Sequence, residues 1–100
     1  MPNAVWFISY KLVEGASVPD FLLASKACND AVLSKRPGFI SWKVLVDCDT
    51  WVDLVTWETM EDAKNAENDT GEINPTAQKF YSFIDHSTLR LQCFSVEKSY

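Results

Sequence analysis

The chain has 100 residues, 47% of them hydrophobic and 13% aromatic, which suits one compact domain over residues 1–100 and excludes a disordered tail. Fourteen acidic residues against nine basic ones give a formal net charge of −5. No Lys/Arg cluster is present to neutralise phosphates, which argues against partners such as nucleic acid or an anionic membrane.

The N-terminus MPNAVWFISY lacks the basic start and long apolar core of a signal peptide, and no apolar run approaches the roughly 20 residues of a membrane span. Cys28, Cys48 and Cys93 show no CxxC spacing, which supports neither a disulfide framework nor a zinc site. The expectation is a cytoplasmic protein with reduced thiols and no metal or cofactor.

Ala4 to Val13 reads as the first strand. Trp6, Ile8, Tyr10 and Leu12 point one way and Val5, Phe7, Ser9, Lys11 and Val13 the other. Both faces begin apolar, as in a strand covered on both sides. After the Glu14-Gly15-Ala16 turn, Ser17 is a helix cap, with Pro19 in the first turn and Asp20 near the positive end. Phe21, Leu22, Ala24, Ala27, Cys28, Ala31 and Val32 follow helical spacing, Lys35-Arg36 suit the last turn, and Pro37-Gly38 stop the helix.

Two further strands, Phe39–Asp47 and Trp51–Glu58, are rich in β-branched and aromatic residues and flank the hairpin break Cys48-Asp49-Thr50. Simple alternation sets Phe39, Ser41, Lys43 and Leu45 against Ile40, Trp42, Val44 and Val46. It likewise sets Trp51, Asp53, Val55 and Trp57 against Val52, Leu54, Thr56 and Glu58. Thr59 to Asp62 resembles a capping box and opens a helix over 60–67. A loop over 68–72 follows, and Asn74-Pro75 caps a helix over 75–84. A turn at Asp85-His86-Ser87 leads to a fourth strand over 88–96.

The order β-α-β-β-α-β predicts a ferredoxin-like α+β fold, a four-stranded antiparallel sheet with the helices on one face. Strands with bulky residues on both faces then call for a second cover. A homodimer packed sheet to sheet supplies it.

Two side chains are candidate catalytic groups. His86 is the lone imidazole and a natural general base beside Asp85; its alternative is an exposed turn histidine with Asp85 capping the backbone. Asp53 puts a carboxylate mid-strand on a largely apolar face, where burial would raise its pKa; on an edge strand it would be an ordinary solvated acid. Trp6, Tyr10, Trp42 and Trp57 are candidate walls of a substrate pocket, with core or interface packing as the alternative for the tryptophans.

The Pro37-Gly38-Phe39 turn, the strand ending at Asp47, WVDLVTWET over 51–59 and Glu61-Asp62-Ala63 resemble the antibiotic biosynthesis monooxygenase group of dimeric α/β-barrel proteins, as does Phe83-Ile84-Asp85 later. The layout matches over nearly the whole chain, the specific motif over 37–63. The resemblance implies a dimer with a pocket in each subunit. It also implies activities that range from cofactor-independent oxidation of polycyclic phenols to haem breakdown. Haem-degrading members use an Asn, a Trp and a His at places where this chain has Ile8 or a neighbour, Ala66 or a neighbour, and no histidine over 75–84, so haem breakdown is set aside. Phenol-oxidising members use Asn and Trp groups; here four tryptophans match in kind, while the only early asparagine is Asn3. The leading reading is a cofactor-independent monooxygenase acting on a small apolar or aromatic substrate. The rival is a non-catalytic small-molecule-binding or protein-interaction module.

Overall fold

Alternating apolar residues form β1 (Ala4–Leu12), and the Ser17 hydroxyl caps α1 (Val18–Ala31) by accepting from Asp20 N at 3.3 Å. The hairpin β2 (Phe39–Asp47) and β3 (Thr50–Trp57) follows, then α2 (Met60–Asp69), α3 (Pro75–Tyr81) and β4 (Ile84–Ser95). The computed structural model describes residues 2–69 and 74–100, so most of the expected 68–72 loop lies outside it. The sheet is antiparallel in the order β2-β3-β1-β4, the ferredoxin-like arrangement, and the helices lie against one face. No helix among the described residues is long and apolar enough to cross a membrane.

Strand ends shift by a residue, to Leu12, to Thr50 and Trp57, and to Ser95, and larger departures from the sequence reading occur in the helices and at the start of β4. The first helix stops at Ala31 instead of reaching Arg36. Val32 leaves helical geometry at φ −123°, and Leu33–Lys35 continue as a 3-10 turn. The next helix takes in Asn68 as well. The helix begun at Pro75 ends at Tyr81, and Ile84 already belongs to β4. The expected turn at Asp85-His86-Ser87 is an irregularity inside that strand. Its ladder with β1 passes from Ser9–Arg90 to Lys11–Asp85, so residues 86–89 stand opposite Tyr10 alone. Thr88 mends the gap: its hydroxyl donates to Asp85 O at 2.7 Å and accepts from Lys11 N at 2.9 Å.

A second irregularity corrects the face assignment in β2. The register slips between Phe39 and Ser41, so Phe39 sits opposite Trp57 and packs edge-on against it at 5.8 Å, while Ile40 is turned out. Phe39 therefore joins the helix-side set with Trp42 and Val44.

The hairpin loop is two residues, Cys48-Asp49, since Asp47 pairs with Thr50. Cys48 takes φ +55°, a left-handed backbone that strains an L-residue. Cys48→Gly should therefore raise the unfolding free energy by about 0.5–1 kcal/mol once glycine's larger unfolded-state entropy is subtracted. A higher urea midpoint at unchanged slope checks this.

The helix side of the sheet carries two core clusters. Tyr10, Phe21, Cys28, Phe80 and Ile84 belong to one, between β1, α1 and α3. Trp6, Val55, Trp57, Ala63 and Ala66 belong to the other, beneath α2. Ile8 and Trp42 pack on both. The opposite face of the sheet has no cover: Phe7, Leu45 and Phe94 are 38%, 43% and 49% exposed.

Candidate functional site

The seam between the two core clusters is open. A cavity of about 330 Å³ runs there between sheet and helices, at the lower end of the range that holds small ligands. Its floor is the sheet, with Trp6, Ile8, Trp42, Asp53 and Val55. Cys28 and Val32 come from the α1 side, Ala66 and Glu67 from α2, Ala77, Phe80 and Tyr81 from α3, and His86 from the β4 irregularity. The early end of α1 turns Val32 and Leu33 into this wall.

Asp53 lies on β3, an interior strand between β2 and β1, and is 3% exposed. Ile8 is its register partner on β1, which places Tyr10 diagonally across on the same face. The Tyr10 hydroxyl donates to Asp53 Oδ1 at 2.7 Å. Burial is the main influence on the carboxyl and pushes its pKa from 3.8 up to about 6, against the Tyr10 hydrogen bond and the nearby Trp42 indole. The Trp42 N–H exerts that pull without closing a hydrogen bond of full geometry, and its nitrogen is a buried donor with no partner.

The surroundings keep neighbouring acids neutral. Burial, then the Asp53 charge, pushes the Cys28 thiol up to about 11. Burial first, followed by the Cys28 and Asp53 charges, raises the Tyr81 phenol, while Arg36 works the other way. Tyr10 is driven far above the usual phenol range by burial and then by Asp53. The carboxyl of Asp53 thus sits among apolar side chains and the un-ionised Tyr10, Cys28 and Tyr81, while Arg36 and Glu67 line the same cavity.

The structure brings Trp6, Trp42, Asp53 and His86 to one cavity. Tyr10 and Trp57 stand behind its wall. Tyr10 packs on Phe21 in the core, and Trp57, fully buried, backs Trp6 at a ring distance of 4.8 Å. Trp6 itself is pinned to α2, its Nε1 donating to Ala63 O at 3.2 Å. His86 is exposed on the rim, with Nε2 3.1 Å from Tyr81 O. Asp85 accepts from Ser87 N and Oγ, the backbone-capping role weighed as its alternative.

Cys28, Arg36, Glu67 and Tyr81 were not anticipated as cavity residues. Cys28 was legible only as a helix-core position, and Arg36 only as a charge at a helix end. Ile8 and Ala66 are apolar parts of the wall. Among the described residues no three His, Cys, Asp or Glu side chains gather closely enough to hold a metal ion.

Sheet order, helix placement and a cavity between the two layers define a ferredoxin-like α+β protein with a small-molecule-sized site. No family model and no curated protein matches the sequence. Solved structures match it in fold, and that fold is the one seen in antibiotic biosynthesis monooxygenase structures. SnoaB, a cofactor-independent oxygenase from Streptomyces nogalater, aligns with 99% of this chain and 97% of its own at a TM-score of 0.72 and 17% identity. A protein from Bacillus cereus described as a candidate antibiotic biosynthesis monooxygenase aligns over 100% and 98%, with a TM-score of 0.66 and 18% identity. A dimeric ferredoxin-like protein from an uncultured marine organism aligns over 100% and 92%, with a TM-score of 0.64 and 11% identity.

Proposed function

We propose that this chain is a homodimeric, cofactor-independent monooxygenase acting on a small apolar or aromatic substrate, with Asp53 as its base. The observation that carries the reading is an open cavity with one buried carboxylate in a largely apolar floor. A base with a pKa near the working pH is the efficient kind. In this scheme Asp53 takes a proton from an acidic O–H or C–H of the bound substrate. The substrate anion reduces O₂ to a carbon-bound peroxide. Loss of the second hydrogen from that carbon breaks the O–O bond, so the carbon becomes a carbonyl and the other oxygen leaves as water. The substrate supplies all four electrons and both hydrogens. Trp6 and Trp42 supply flat walls for a ring, and His86 on the rim is the second candidate for proton exchange.

Oxygen uptake with a panel of one- to three-ring phenols tests the reaction. Wild type should consume O₂ and Asp53→Asn should lose at least 100-fold, the usual contribution of a general base. Phenols that bind without O₂ uptake would instead support a non-catalytic binding module.

The dimer is supported by the uncovered sheet face, where Phe7 and Phe94 stand on neighbouring strands, and by the dimeric fold relative. Phe7→Lys should halve the sedimentation mass and leave the monomer's circular dichroism intact. A monomeric wild type would sink this part of the reading.

A further inference from the structure

Asp53 offers two oxygens, and the structure treats them differently. Oδ1 accepts the Tyr10 hydrogen bond at 2.7 Å, whereas Asp53 itself lines the cavity and Tyr10 does not. Tyr10 is 1% exposed and held edge-on against Phe21 at 6.2 Å, so its hydroxyl has no route to a ligand. A phenylalanine would fill the same core space without burying a hydroxyl that needs a partner. We propose that Tyr10 is a positioning residue: by occupying Oδ1 it fixes the rotation of the Asp53 carboxylate and leaves Oδ2 as the oxygen presented to the substrate. This rests on the reading of Asp53 as the base.

The arrangement also defines the path of the proton. Tyr10 stays protonated throughout the accessible pH range, because burial and the Asp53 charge both hold its proton on. It therefore serves the ionised carboxylate as a hydrogen-bond donor and does not take up the proton of Asp53. The proton gained by Oδ2 leaves through the cavity that Asp53 lines. The groups that face Asp53 from other elements are Cys28 on α1 and Tyr81 on α3, both held neutral; Arg36, Glu67 and His86 line the same cavity. Tyr10 is the group that closes a hydrogen bond of full geometry on the carboxylate, and it favours the ionised form, as does the nearby Trp42 indole N–H.

The test is a ¹³C NMR titration of aspartate carboxyls in the full-length protein, with Asp53 assigned by the peak missing in Asp53→Asn. Tyr10→Phe should move the Asp53 midpoint upward by about one pH unit or more, the usual worth of a hydrogen bond to a charged group. The acid limb of the pH–rate profile for phenol oxidation should move with it. A Tyr10→Phe protein that folds with an unchanged midpoint overturns the proposal and leaves Tyr10 a core residue. Should Tyr10→Phe fail to fold, 3-fluorotyrosine at position 10, a stronger donor of the same shape, should lower the midpoint, and an unmoved midpoint again overturns it. The base reading fails by a different result, Asp53→Asn retaining full O₂ uptake.

Discussion

Gly38→Ala should lower the unfolding free energy by about 2–4 kcal/mol and the melting temperature by at least roughly 10 °C. Two costs combine. Gly38 has φ +80°, in the left-handed region where a side chain is strained, and a Cβ there would overlap the Asp62 carboxylate and sit 2.6 Å from Asp62 Cβ. Asp62 cannot simply swing aside. Its backbone N–H donates to Thr59 Oγ1 at 3.1 Å, and its Oδ2 accepts from the same hydroxyl at 3.0 Å, which together close the first turn of α2. Gly38 is held on the other side, where its carbonyl accepts from Glu58 N at 2.7 Å. The helix must therefore give way, carrying with it Ala63, the acceptor for Trp6, and Ala66 in the cavity wall. A double-mutant cycle with Asp62→Gly checks the mechanism. Removing the Asp62 side chain should recover part of the Gly38→Ala loss, although alone it destabilises by losing the cap. Strict additivity would mean that the two residues do not meet.

That turn is also where the sequence was most informative. Pro37-Gly38-Phe39, the strand alternation and the Ser17, Thr59 and Asn74 caps are local signals, and each reappears in the structure as a strand face or a helix start. The errors arise where tertiary packing overrides local pattern. Phe39 crosses to the helix side because a bulge next to it adds a residue to β2, and alternation counted along one strand cannot register an insertion relative to its partner. Likewise the β4 irregularity looks like a turn until Thr88 is seen bridging Asp85 to Lys11, 77 residues away from it in the chain. Asp53 was legible as a carboxylate on an apolar face, but its hydrogen bond to Tyr10 spans 43 residues and depends on the β1–β3 register. Trp42 and Trp57 show the same limit. They share the helix-side face of neighbouring strands, yet Trp42 sits at the seam between core clusters and Trp57 lies beneath α2. Only the helix positions separate a cavity wall from core.

Asp53→Asn should make the protein more stable at neutral pH even as it removes the proposed base. The folded carboxyl titrates at about 6 against an ordinary value of 3.8, so between these values the folded chain holds a proton that the unfolded chain has released. The sign follows directly. Stability from this group is fully present below about pH 4, falls as pH rises, and is lost above about pH 6, a total of about 3 kcal/mol. The asparagine variant keeps an oxygen for the Tyr10 hydroxyl and carries no charge, so it has no such slope. Its amide N–H₂ still lacks a partner, which trims the gain at neutral pH by about 1 kcal/mol or more. Other carboxylates work in the opposite direction: Ser87 lowers the pKa of Asp85 and Lys26 that of Asp30, and both contributions fade as pH falls. Subtracting the wild-type curve from the variant curve cancels them. Urea unfolding at pH 4.5 and pH 7.5 should therefore give a variant-minus-wild-type difference that grows by about 2 kcal/mol or more between the two. An equal difference at both pH values would mean that Asp53 is solvated and titrates as an ordinary acid. A growing difference together with lost O₂ uptake would tie the cost of burying this carboxylate to its use, the stability–activity trade expected when an active group is held against its preferred charge state.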